Sequence, residues 1–228
     1  MRVVIMGGTS GIGLATAEKL TAAGAEVIVT GRDEGRLAAV KGRVAAAERV
    51  DGTDAAAVTA FFERVGGFDH LVLAFSPGAL GLGPLAEVDV ADVRGAFEGK
   101  LFGYLHAVQK AQVTGSVTMV SAVSARAALP GTVALAAVNG AIERIVSPLA
   151  AELSPVRVNA VSPGVVDTAW WSFLPAESRE ATLAEFVKDT PAKRVGTPQD
   201  VADAIAYVIG ATYVTGTVLP VDGGATVA

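Results

Sequence analysis

Arg2-Val3-Val4-Ile5-Met6-Gly7-Gly8-Thr9-Ser10-Gly11-Ile12-Gly13 runs from a short apolar stretch straight into a cluster of glycines. An apolar run of that length suits a strand buried on both faces. Glycines just after a strand let the backbone turn tightly and approach a pyrophosphate, which then rests on the N–H groups opening the next helix. Leu14, Ala17 and Leu20 follow at helical spacing, Gly24 stands at the expected C-cap, and Glu26–Thr30 reads as a second strand. A glycine cluster between strand and helix, with a second strand at the βαβ distance, predicts a dinucleotide site cradled by Gly7, Thr9, Ser10, Gly11, Ile12 and Gly13.

Outward from this unit the alternation continues. A polar helix-forming stretch covers Asp33–Ala47, with a third strand just before Asp51. A helix is expected over Ala55–Val65 and a strand over Leu71–Phe75. A long helix over Asp89–Ala111 precedes a strand over Ser116–Ser121, and a second over Thr132–Leu153 precedes Val156–Val161. Thr168–Pro191 reads as irregular or helical and holds both tryptophans; a helix over Asp200–Ile209 and a strand over Val218–Val221 close the series. Strands alternating with helices predict one α/β domain over residues 1–228, a Rossmann-type doubly wound parallel sheet with helices on both faces.

Composition agrees and excludes other classes. At roughly 100–200 residues per domain, 228 residues make one domain. Hydrophobic residues are 51% and charged ones 18%, the reverse of a disordered chain. A net charge of −5 gives no basic field for a phosphate backbone, so no nucleic-acid partner is expected. Mean hydropathy is +0.49. The longest uncharged run, Ala204–Val221, is broken by Gly210, Gly216 and Pro220, so no membrane span is expected there. Val3–Met6 is too short for a secretory core, and cytoplasmic residence is the expectation. With no cysteine and only His70 and His106, no metal site is expected.

The second strand ends Val29-Thr30-Gly31-Arg32. An acid at that place hydrogen-bonds the adenosine ribose diol, whereas a guanidinium accommodates a 2′-phosphate. Arg32 therefore predicts NADP(H) over NAD(H), with Asp33 opposing it by one step.

The whole chain resembles the short-chain dehydrogenase/reductase family. The resemblance rests on Gly7, Gly11 and Gly13, on Asp51 after the third strand, on Arg157-Val158-Asn159-Ala160-Val161-Ser162-Pro163-Gly164, and on Arg194–Pro198 with Val221-Asp222-Gly223-Gly224. It implies an oxidoreductase moving hydride between a nicotinamide and a carbonyl or alcohol carbon. It places Asp51 at the adenine, Ala74, Phe75 and Ser76 along the cofactor, and Pro163, Gly164, Val166 and Thr168 at the nicotinamide. It makes residues around 168–193 a substrate-covering segment.

The family's proton-handling residues are a tyrosine with a lysine four residues later, a serine and a helix asparagine. Here Tyr104, Tyr207 and Tyr213 are followed four residues on by Val108, Ala211 and Thr217, so the chain contains no Tyr-x-x-x-Lys. Leu135 and Asn139 align with the pair, Ala122 with the serine (Ser121 and Ser124 flank it), and Lys100 with the asparagine. An amine and an amide are thus retained on exchanged helices. The expected catalytic set is Lys100 as proton donor or charge, Ser121 for the carbonyl oxygen, and Asn139 for the nicotinamide ribose. Tyr104, one turn beyond Lys100, is assigned to packing. Trp170, Trp171 and Phe173 predict an apolar, fairly large carbonyl or alcohol substrate. The two long helices predict a homodimer or homotetramer. The competing reading is a catalytically weak or inactive NADP(H)-binding sensor or subunit.

Overall fold

In the computed structural model, which describes residues 1–227, side chains along β1 (Arg2–Met6) alternate between two apolar layers. Val3 and Ile5 enter one, Val4 and Met6 the other, as the period of two demands. Both faces are covered, which is why the strand is apolar throughout. The first layer is closed by α1 (Gly11–Ala22) and α8 (Pro198–Gly210) through Ala17, Leu20, Val201 and Ile205. The second is closed by α3 (Ala55–Val65), α5 (Gly103–Lys110) and α6 (Val133–Glu152) through Phe61, Phe62, Tyr104 and Ile142.

The remaining strands are β2 (Glu26–Gly31), β3 (Ala46–Arg49), β4 (Phe68–Leu73), β5 (Val113–Val120), β6 (Arg157–Pro163) and β7 (Val218–Val221). All pair in parallel, in the order β3-β2-β1-β4-β5-β6-β7. The chain builds outward from β1 to β3, then returns to place β4 on the other side of β1. That reversal opens a crevice at the carboxyl ends of β1 and β4, the usual ligand position in such sheets.

Two expected helices differ. The stretch Asp33–Ala47 gives only α2 (Glu34–Val40), because Ala46 and Ala47 pair with Ile28 and Val29 as edge strand. The helix expected over Asp89–Ala111 is α4 (Val90–Ala96), a π-helical turn at Phe97–Phe102, and then α5. Gly99 packs on Pro77 so closely that a Cβ would lie 2.6 Å from the Pro77 Cβ. Helix α6 is long and apolar enough to cross a membrane by composition. It lies along the sheet, however, burying Val138, Ile142 and Val146.

Candidate active site

The carboxyl ends of β1 to β6 open into one cleft of about 1470 Å³. At its floor Gly7 and Gly8 donate their N–H groups to Thr30 O at 3.0 and 3.1 Å, folding the turn back on β2. Gly7 has φ of 86°, and a Cβ there would stand 2.7 Å from Phe75 N. A side chain is therefore barred twice, by conformation and by space. The Ser10 side chain makes no cap to α1, which leaves first-turn N–H groups facing the cleft. This cradle fits a dinucleotide pyrophosphate. Of the expected cofactor residues, Gly13 alone does not line the cleft; it lies beneath the turn, against Gly7 O, where a Cβ cannot fit.

At the end of the cleft by β2, where the adenosine was expected, Arg32 is exposed on the wall. Asp33, which opposed a phosphate, spends Oδ1 capping α2 by accepting from Arg36 N at 2.7 Å. Sequence reasoning missed Arg36, which lines the same wall and donates from Nη1 to Ser10 Oγ at 3.4 Å. Burial pushes the Asp51 carboxyl up, but the Thr53 N–H and hydroxyl, with Arg32 and Arg49 nearby, outweigh it and hold it below the usual value.

At the other end the π-helical turn delivers Lys100 into the cleft, 7% exposed. Such turns recur at functional sites because the extra residue re-aims a side chain. Lys100 Nζ donates to Asn139 Oδ1 at 2.7 Å and to Ser121 O at 3.4 Å. Burial lowers its pKa from 10.5 to about 7 against the upward pull of Glu143. Asn139 donates from Nδ2 to Ser124 Oγ at 3.1 Å and to Leu135 O at 2.9 Å. Both its amide protons are thus spent inside the protein, which leaves one lone pair of Oδ1 as its remaining polar capacity. Tyr104 OH is held by Phe75 O and Val120 O at 3.1 and 3.3 Å, with its ring edge-on to Phe75.

Ser121 lies beside this pair but gives its proton to Glu143 Oε1 at 2.8 Å. Ser162 donates to the same oxygen at 2.6 Å, and Arg126 Nε to Glu143 Oε2 at 2.8 Å. Glu143 was not anticipated. Its signal was present in its place one helical turn beyond Asn139 on α6, but Ser121, Ser162 and Arg126 come to it only through the fold.

Beside the Lys100 end of the cleft, Thr168 caps a 3₁₀ turn, Ala169–Phe173, by accepting from Trp170 N at 3.2 Å. Trp170 packs edge-on to Trp171 and Phe173, with centroids 4.8 and 5.3 Å apart. Trp171 reaches Phe186 of α7 (Ala176–Asp189) at 6.0 Å, and its Nε1 donates to Val166 O at 3.0 Å. Arg179 of α7 pairs with Asp167. All three expected substrate aromatics line the cleft, as do Leu135, Val123 and Leu129.

A family model described as enoyl-(acyl carrier protein) reductase matches residues 7–226. The chain belongs to the short-chain dehydrogenase/reductase family. A cis-4-hydroxycyclohexanecarboxylate dehydrogenase of Sinomonas cyclohexanicum is 34% identical, covering 98% of this chain and 95% of its own. The 3-oxoacyl-[acyl-carrier-protein] reductase MabA of Mycobacterium tuberculosis (strain ATCC 25618 / H37Rv) is 32% identical over 97% and 91%. A crystal structure of a small-chain dehydrogenase in complex with NADPH is 32% identical with a TM-score of 0.86, covering 100% of this chain and 99% of that one. Members of this short-chain family matched here are oxidoreductases, and the seven-stranded doubly wound fold is theirs.

Proposed function

We propose that this short-chain dehydrogenase/reductase is an NADP(H)-dependent carbonyl reductase or alcohol dehydrogenase in which Lys100 replaces the family's proton-handling tyrosine. The observation that carries the reading is the Lys100–Asn139 hydrogen bond of 2.7 Å, buried in the same cleft as the glycine turn. A bound nicotinamide supplies the hydride. The chain's own residues do the rest: one Lys100 proton goes to Asn139, one points to Ser121 O, and the third remains for the ligand oxygen. On reduction the carbonyl carbon takes the hydride pair and the oxygen takes that proton, which the amine recovers from solvent. Leu135 keeps the neighbourhood dry and cannot itself transfer a proton. The phosphate preference is supported by Arg32, by Arg36 at Ser10 and by the engagement of Asp33 as a helix cap.

The substrate is an apolar carbonyl compound, supported by the aromatic wall and by relatives named for a hydroxycyclohexanecarboxylate and for 3-oxoacyl carriers. The test is NADPH oxidation followed at the nicotinamide absorbance with 4-oxocyclohexanecarboxylate, bulkier alicyclic ketones and a 3-oxoacyl thioester. Turnover of one of them, lost in Lys100→Met with NADPH affinity held within a few fold, is the expected result. Tight NADPH binding with no turnover on the whole panel replaces this reading with a cofactor-binding sensor or subunit.

A further inference from the structure

Ser121, Ser124 and Ser162 are all buried near the Lys100–Asn139 pair, and their hydrogen bonds tell them apart. Ser121 and Ser162 both donate to Glu143 Oε1, at 2.8 and 2.6 Å. An ionised carboxylate only accepts, so both protons are committed. Ser124 is the reverse case. Its oxygen accepts from Asn139 Nδ2 at 3.1 Å, and a carboxamide nitrogen cannot accept in return. Among the described residues no acceptor stands within reach of the Ser124 proton, although the residue is only 7% exposed. It lines the cleft beside Lys100, Asn139 and Leu135.

We propose that Ser124 is the catalytic hydroxyl of this site, donating its unclaimed proton in a hydrogen bond to the reacting oxygen of the ligand. The reaction it serves rests on the reductase reading above, whereas the oxygen site rests on the donor and acceptor balance alone. Lys100, Asn139 and Ser124 form a chain in which each group donates to the next, and such a chain polarises its last hydroxyl. An oxygen that gathers negative charge as hydride arrives gains most from a donor already in place. The short 3₁₀ turn Val123–Ala125 fixes Ser124 on the wall, while the aligned family position, Ala122, has no hydroxyl to offer. The ligand class is accordingly a carbonyl, alkoxide or carboxylate oxygen borne on an apolar body.

The experiment uses the full chain saturated with NADP⁺ and cyclohexanecarboxylate as an oxyanion probe, titrated by calorimetry. Wild type binds the probe; Ser124→Ala weakens it about tenfold or more, the scale of one hydrogen bond to a charged group, and Ser124→Thr restores most of the loss. With a reducible ketone, Ser124→Ala lowers kcat while the midpoint of the pH profile stays in place. A wild type that ignores the probe, a Ser124→Ala protein that binds it normally, or an equal loss in Ser121→Ala overturns the assignment. A displaced pH midpoint in Ser124→Ala also overturns it, because Ser124 then acts only by holding Asn139. If no ketone is reduced, the reductase reading falls while the probe titration still decides Ser124.

Discussion

A lysine in a dry cleft trades charge against solvation, and Lys100 stands where that trade is close to even. Burial brings its pKa to about 7, with Glu143 pulling the other way. As the proposed proton donor for reduction it is competent when protonated, so kcat for ketone reduction is expected to fall as pH rises through about 7. Glu143→Gln removes the upward pull and moves that midpoint lower; an unmoved midpoint assigns the titration to another group. Lys100→Met lowers turnover by ~10²–10⁴-fold, the usual worth of a general acid. At the adenosine end two guanidinium groups share the wall. Arg32→Ala and Arg36→Ala each weaken NADPH by ~1.5–3 kcal/mol and leave NADH almost unchanged. Equal NADPH and NADH affinity in wild type rejects the phosphate assignment for both.

The elements show what the letters could carry. Strands β1 and β2 were legible from the apolar runs Val3–Met6 and Val27–Val29 that strands buried on both faces require, and the glycine turn because only glycine satisfies Gly7; β6, which buries Asn159 and Ser162 among its apolar residues, was legible from its resemblance to the family instead. The π-helical turn was not, since Phe97–Phe102 carries no pattern that separates it from an α-helix, and the close approach of Gly99 to Pro77 appears only in the fold. Nor was the fate of Ser121, whose proton is claimed by Glu143, 22 positions away. Local chemistry named Lys100, Ser121 and Asn139, which share the cleft, but their partners depend on how α6 lies against β5 and β6. Gly99→Ala tests the turn directly: with the Pro77 Cβ only 2.6 Å away, overpacking costs ~1–3 kcal/mol in denaturant unfolding. It also lowers turnover, because Lys100 is displaced. The aromatic turn is tested by Trp170→Ala, which raises KM for bulky ketones while NADPH affinity holds; an unchanged KM places that ring outside the substrate path.

At the scale of the whole molecule, α6 poses a question of cover. Its composition is apolar enough for a bilayer, yet only 28% of its most apolar window is buried in the chain. Val133 is 51% exposed and Phe102, on the neighbouring π-helical turn, 46%. The polar groups of α6 argue against lipid: Glu143 is paired with Arg126, Arg144 is exposed, and Pro148 interrupts the hydrogen-bond ladder. A second copy of the chain meets the same need without burying charge in hydrocarbon. A two-fold axis would set each copy's α5 and α6 against the other's, a self-complementary contact that closes after two subunits. Stable contacts of this kind bury about 1,200–2,000 Å² in total. Light scattering on the protein at micromolar concentration is therefore expected to give a dimer, or a tetramer if a second face adds its own contact. Phe102→Glu combined with Ala137→Glu places charges on exposed positions of these helices, and the particle is expected to fall apart into smaller units. A wild-type particle of one chain's mass rejects the self-contact, and a double variant that stays assembled moves it to another face.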